Sequence, residues 1–161
     1  MAFRMEVTGM DELLRKMEKL GEKGQAAASL ALYEGARVTA DAVGQAVNSI
    51  ATEPFKYAGS GQKRKPSPEE KAVVAAAGHG VAKFRKSITR VDTSVGLQNA
   101  GYGEINGKTV PVPLIANAIN SGTSFMGKQP FMRRAFSQSK GAAQAAIENK
   151  LREELDKLSE D

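Results

Sequence analysis

The strongest constraint on the fold is a long helical stripe. From about Ala26 to Ile50, the residues Tyr33, Ala36, Ala40, Val43, Val47 and Ile50 recur at alternating steps of three and four. That spacing predicts one apolar face over about five turns of helix. The members are mostly small, so another helix or a sheet can approach closely. Gly35 and Gly44 fall inside the run and lower its helix propensity. A second long helix is predicted after Pro130 and runs to about Leu158, with Phe136, Ala143, Ile147, Leu151, Leu155 and Leu158 on its buried side. Two long helices of this kind need a common partner layer, and the rest of the chain supplies candidates.

Phe3, Met5 and Val7 alternate with polar residues and predict a short strand ending at Gly9. Asp11 then opens a short helix whose apolar side is Leu13, Leu14, Met17 and Leu20. The stretch from Thr52 to Pro68 carries Pro54, Gly59, Gly61, Pro66 and Pro68 around "KRK" and predicts an extended loop that orders on assembly. "SPEEKAVVAAA" predicts a helix with Ser67 as N-cap, Pro68 at its first position and acids in the first turn. "VAKFRK" is expected to add one more helical turn. "SITRVDTSVGLQ", rich in β-branched residues, predicts a strand over Ser87–Gln98 bent near Asp92. Asn106-Gly107 predicts a hairpin between strands at Tyr102–Ile105 and Lys108–Val112. "PLIANAIN" predicts a short helix or turn ending at Gly122.

Strands grouped between helices argue for an α+β fold: one domain over residues 1–161, with a small antiparallel sheet of about four strands against two long helices and shorter ones. Residues 52–80 stand out as a long basic loop or insertion.

Charge is concentrated rather than spread. Residues 56–90 carry nine Lys and Arg against two acids, whereas residues 1–55 carry six against eight and residues 91–161 carry eight against eight. The net charge of +5 therefore originates in one central segment. Lys63, Arg64, Lys65, Lys83, Arg85 and Lys86 could neutralise phosphates or meet a partner, or simply form a solvated loop. Tyr57 and Phe84 are too few aromatics for a stacking platform.

The chain contains no cysteine, which excludes disulfides, thiolate catalysis and Cys-based zinc sites. Its one histidine, His79, stands between two glycines with no Ser or Asp at a catalytic spacing, and is expected to be a solvated or capping residue. "GSGQKRKPS" departs from a phosphate-binding loop because its glycines are too close together and the helix begins late. The expectation is a protein that is not an enzyme, with no catalytic residue, cofactor or metal. No apolar run is long enough to cross a bilayer and the first residues lack the apolar core of a signal peptide, so synthesis in the cytoplasm and no membrane partner are expected.

That leaves "INSGTSFMGKQPFMRRAF", from Ile119 to Phe136. Thr123 and Ser124 can bond their own backbone, and Pro130 pre-organises the following helix. Phe125 and Phe131 lie off the predicted buried stripe and either face outward as anchors or fold back under the loop. Arg133 and Arg134 sit in the first helical turn, where cations oppose the dipole, and call for a carboxylate or phosphate partner. Gly122, Thr123, Ser124, Phe125, Pro130, Phe131, Arg133 and Arg134 are therefore the candidate interface residues.

With "MDELLRKMEKLGEK", the Ala-rich helix, Arg85, Ser87 and Ile88 opening a strand, and the later Val95-Gly96, this stretch resembles the tail-completion or head–tail joining (tail terminator-like) proteins of long-tailed bacteriophages and prophages. Gly122, Thr123, Ser124, Pro130, Phe131, Arg133, Ala135 and Phe136 match that pattern residue by residue. The resemblance spans roughly residues 5–50 and 83–158. The chain departs from the pattern at "LIANAIN", where an aromatic-rich run is usual, at Asn120 and Ser121, where an acid is usual, and at Arg134, where a Pro is usual. The resemblance implies a virion structural protein. It would form a ring, a hexamer, at the head-proximal end of the tail, capping the tail tube and joining it to the head connector or stopper protein. DNA would pass through the lumen, and the ring would be assembled in the host cytoplasm. The other reading is a small basic nucleic-acid-binding protein.

Overall fold

The computed structural model describes residues 11–57, 59, 61–87, 90–98 and 101–159. The strand predicted at Phe3–Val7 lies outside the described residues, as does Ile88. The chain is α+β, as the element order predicts. It runs α1 (Asp11–Lys19), α2 (Glu22–Asn48), α3 (Pro68–Ala76), β1 (His79–Val81), β2 (Arg85–Ser87), β3 (Arg90–Asp92), β4 (Val95–Leu97), β5 (Tyr102–Ile105), β6 (Lys108–Pro111), α4 (Val112–Ser121) and α5 (Phe131–Ser159).

Helices α2 and α5 form the frame. Gly35 faces Ala143 and Ile147, Thr39 faces Ser139, and Ala51 faces Gln129, so the two run antiparallel along most of their lengths. Small residues at the crossing allow this approach. A Cβ on Gly35 would lie 2.9 Å from the Ala143 carbonyl oxygen. The hydroxyls buried in the seam are satisfied: Ser139 donates to Thr39 Oγ1 at 3.4 Å, and Thr39 donates to the Gly35 carbonyl at 3.3 Å.

Ala36, Ala40, Val43, Val47 and Ile50 are buried as the stripe predicts. Tyr33 is the exception: it is 45% exposed, with its ring 6.5 Å from that of Phe84. The main core joins these α2 residues to Val74, Val95, Ala116, Ile119, Met126, Phe131, Met132 and Ala135. A smaller cluster of Ala31, Ile147 and Leu151, with Leu13 against it, attaches α1 at the far end.

The strands differ in arrangement from a single sheet. His79, Gly80 and Val81 pair with Leu97, Gly96 and Val95; Arg85, Lys86 and Ser87 pair with Asp92, Val91 and Arg90. The two antiparallel pairs succeed one another along the same two segments. Residues 82–84 oppose only residues 93–94, so the whole is one long ribbon with a bulge. Ala82 N–H donates to the Ser94 carbonyl at 2.8 Å and the Thr93 hydroxyl donates to the Ala82 carbonyl at 2.6 Å, which ties the bulge across the ribbon. "VAKFRK" is therefore the outgoing arm of this ribbon and not a helical turn. The second ribbon, β5–β6, turns at Asn106-Gly107 with φ of 50° and 71°, the left-handed conformation a two-residue hairpin needs. It packs on α3 rather than on the first ribbon, with Gly103 giving room to Val73.

Candidate docking surface

Ser67 caps α3, accepting a hydrogen bond from Glu70 N–H at 3.2 Å, while the Glu70 carboxylate accepts from Ser67 N–H at 2.7 Å. This capping box fixes the carboxylate at the helix start, where it also meets a guanidinium. Arg64 donates to Glu70 Oε2 at 2.7 Å and to Oε1 at 2.6 Å, a two-pronged pair with both side chains only 6% exposed. A third bond goes to the Lys65 carbonyl at 3.0 Å. Burial pushes the Glu70 carboxyl up, but the bonds from Arg64 and Ser67 outweigh it and hold the group below the ordinary carboxylate range. The bond to Glu70 likewise raises the Arg64 guanidinium above its usual value against the opposing effect of burial.

Arg64 also joins two loops. Its N–H donates to the Phe125 carbonyl and its carbonyl accepts from Gly127 N–H, both at 2.9 Å, an isolated parallel bridge to Met126. Its guanidinium lies 5.0 Å from the Phe55 ring centre and 5.9 Å from that of Phe125. Nearby, Glu53 N–H donates to the Pro66 carbonyl at 3.0 Å, and the Glu53 carboxylate accepts from Lys65 N–H at 2.7 Å. That backbone bond from Lys65 is the main reason the Glu53 carboxyl is lowered. The ends of the loop expected to order only on assembly are thus already fixed to the body.

The other loop, residues 122–130, is equally constrained. Gly122 ends α4 with φ of 78°, donating to the Ala118 carbonyl at 2.9 Å. A Cβ there would lie 2.8 Å from that of Lys128. Thr123 Oγ1 accepts from Met126 N–H at 2.9 Å and from Phe125 N–H at 3.3 Å, the local turn expected of a Gly-Thr-Ser step. The Gln129 side-chain amide pairs with both backbone groups of Ala51, at 2.9 and 2.7 Å. Asn120 Oδ1 accepts from Met132 N–H at 3.1 Å and so satisfies the start of α5.

The predicted residues therefore separate. Gly122 and Thr123 build the turn, and Ser124 and Phe125 are exposed beside it. Pro130 is half-buried at the head of α5. Phe131 is corrected: it is core, 2% exposed, because the first turn of α5 faces Ile119 and Met126. Arg133 and Arg134 are exposed, and neither has an ion pair among the described residues, where the sequence calls for a carboxylate or phosphate partner. Arg64 is also corrected. It is a buried structural cation, while Lys63 and Lys65 on either side remain exposed. Lys83, Arg85 and Lys86 are exposed on the ribbon. Phe84 stands by Tyr33 and Glu53 follows the end of α2, so the two basic groups lie about 25 Å apart along that helix.

Sequence reasoning missed Glu70 as the partner of Arg64, Gln129 as a loop tie, and Phe55. The Ser-Pro-Glu-Glu spacing signals a capping box and could have located the first. The other two depend on contacts across tens of residues.

What reaches the surface is an aromatic group: Phe55 41% exposed, Tyr57 91% and Phe125 49%, with the Phe55 and Tyr57 rings edge to face at 5.4 Å. Elsewhere, an open groove of about 740 Å³ lies between the ribbon and the starts of α4 and α5. Val81, Val95, Leu97, Val112 and Ala116 line it, and Lys83 is its one ionisable side chain. His79 is exposed at the start of β1, with its ring occupying the space left by Gly44. Among the described residues no three His, Asp or Glu side chains are grouped to hold a metal, and no helix is long and apolar enough to cross a membrane. Compared with protein families, with characterised proteins and with solved structures, the chain matches none.

Proposed function

We propose that this chain is an assembly subunit of the tail-completion type. It forms a ring at the head-proximal end of a phage tail, where it caps the tail tube and joins it to the neck connector. The observation that carries this reading is the treatment of the Gly122–Phe136 stretch. A loop of turn-forming residues is held at both ends by Arg64, Thr123 and Gln129, and it presents Phe125 outward beside Phe55 and Tyr57. A loop fixed this firmly around exposed aromatics suits a preformed contact surface, which loses little entropy on docking. The order of the resembling motifs supplies the particular assembly. The action is mechanical: a head-to-tail contact between copies closes into a ring if its rotation closes. Purified particles test the reading directly. Peptide mass spectrometry should find the chain in finished virions, and electron microscopy should place it as a ring at the head end of the tail. Finished particles without it would overturn the proposal.

A second reading has its own observation. Lys83, Arg85 and Lys86 lie exposed on a two-stranded ribbon and have no ion pair among the described residues. Such a ribbon can engage a duplex. Under this reading the protein binds DNA with an affinity that falls steeply with salt, and reversing these three charges abolishes binding. Binding unchanged in the triple variant would remove it.

A further inference from the structure

From the placement of charge at the two ends of α5 we infer the contact that joins one copy to the next: the Phe55–Tyr57–Phe125 surface of one copy receives the acidic end of α5 of a second copy. The inference rests on the assembly reading above and names its surfaces.

The aromatic surface stands at the N-terminal end of α5, because Gln129 ties that end to Ala51 and loop 122–130 holds Arg64. It is cationic. Residues 51–67 carry Lys56, Lys63, Arg64 and Lys65 against Glu53 alone. Arg64 is spent on Glu70 and Lys56 on Glu53, which leaves Lys63 and Lys65 exposed with no ion pair among the described residues. Helix α5 has 29 residues and is therefore about 43 Å long. Toward its other end, residues 148–159 carry four carboxylates against three cations, and Glu160 and Asp161 follow in the sequence. Within that stretch Glu153 and Glu154 pair with Lys150 and Lys157, and Glu148 with Arg152, so an acidic excess remains after internal pairing. Asp156 is exposed with no ion pair among the described residues, and Leu158 adds partly exposed apolar surface.

A basic aromatic surface and an acidic helix end on opposite extremities of one rod cannot meet within a single copy. Between copies they make a head-to-tail contact, the type that generates rings. One face each of Phe55 and Phe125 lies toward the Arg64 guanidinium, and the Phe55 and Tyr57 rings meet in a T-shaped contact. Aromatic rings flanked by lysines suit a carboxylate-bearing helix with apolar contacts.

Light scattering of the full-length chain over a range of concentration and salt tests this. The wild type should gain mass with concentration and lose it as salt rises. Tyr57→Ala should weaken association tenfold or more, as loss of an aromatic anchor does. The pair Lys63→Glu/Lys65→Glu and the pair Glu153→Lys/Asp156→Lys should each be monomeric, with circular dichroism melts showing both still folded. Mixing the two reversed chains should restore assembly, since each then offers the other a complementary end. If either reversed chain assembles like the wild type, or the mixture stays monomeric, the inference is overturned while the assembly reading stands. A wild type that is monomeric at every concentration also overturns it. Absence from particles would overturn both.

Discussion

Arg64 ties several parts of the structure together. It neutralises a buried carboxylate, bridges two loops through its backbone, and contacts the rings of Phe55 and Phe125. Arg64→Met strands the Glu70 charge and should cost about 3–5 kcal/mol, measured by urea unfolding. Adding Glu70→Gln removes the stranded charge and keeps an acceptor for Ser67, so the double variant should be more stable than Arg64→Met alone. A double variant that is less stable would show that the pair does not act as argued. The same carboxylate sets an acid limit. Its folded pKa is depressed below the unfolded value of about 4.3, so its contribution is complete above that pH. The contribution is lost as pH falls below about 4.3 and through the folded value. Glu70→Gln should therefore flatten the fall in melting temperature between neutral pH and about pH 3.

At the scale of elements, two glycines in helices should respond in opposite ways to one extra methyl group. Gly35 sits where α2 crosses α5, and a Cβ there meets Ile147 and the Ala143 carbonyl. Gly35→Ala should force the helices apart and cost about 1–3 kcal/mol. Gly141 lies in α5 with nothing within 4 Å of a built Cβ. Gly141→Ala should stabilise by about 0.5–1 kcal/mol through helix propensity alone. Thermal unfolding of the two variants separates these cases; equal effects would mean that the crossing is looser than described. Helix α3 depends on its cap, and Ser67→Ala should cost about 1 kcal/mol and also weaken the hold on Glu70.

For the whole molecule, the two basic regions and the acidic helix end make charge a matter of place rather than total. The net +5 would suggest a uniformly basic particle, yet the extremities of α5 are opposite in sign. Substitutions in the two basic groups should then separate in effect. Reversing Lys63 and Lys65 should act on association between copies, while reversing Lys83, Arg85 and Lys86 should leave association unchanged. Analytical ultracentrifugation of the two variants side by side checks this, and identical behaviour would mean that the charges act collectively.

The elements that depend on neighbours along the chain are legible in the residues themselves. The stripe of α2 follows from side-chain period, the Asn106-Gly107 hairpin from φ preference, the Ser67-Pro68 start of α3 from capping, and the end of α4 at Gly122 from the need for a left-handed residue. Each is a local property of a few consecutive residues. What only the tertiary structure decided is which side chains end up opposite one another. Arg64 reads as one of a run of surface cations, and is a buried ion pair because a capping box six residues on holds a carboxylate in reach. Phe131 reads equally as an outward anchor or as a residue folded under the loop, and is core because Asn120 and Gln129 set the angle at which α5 begins. "VAKFRK" loses its helical turn because pairing with the returning strand satisfies its backbone. Period and propensity act within a few residues, but burial and charge pairing depend on distances in space, and those are set only when the whole chain packs.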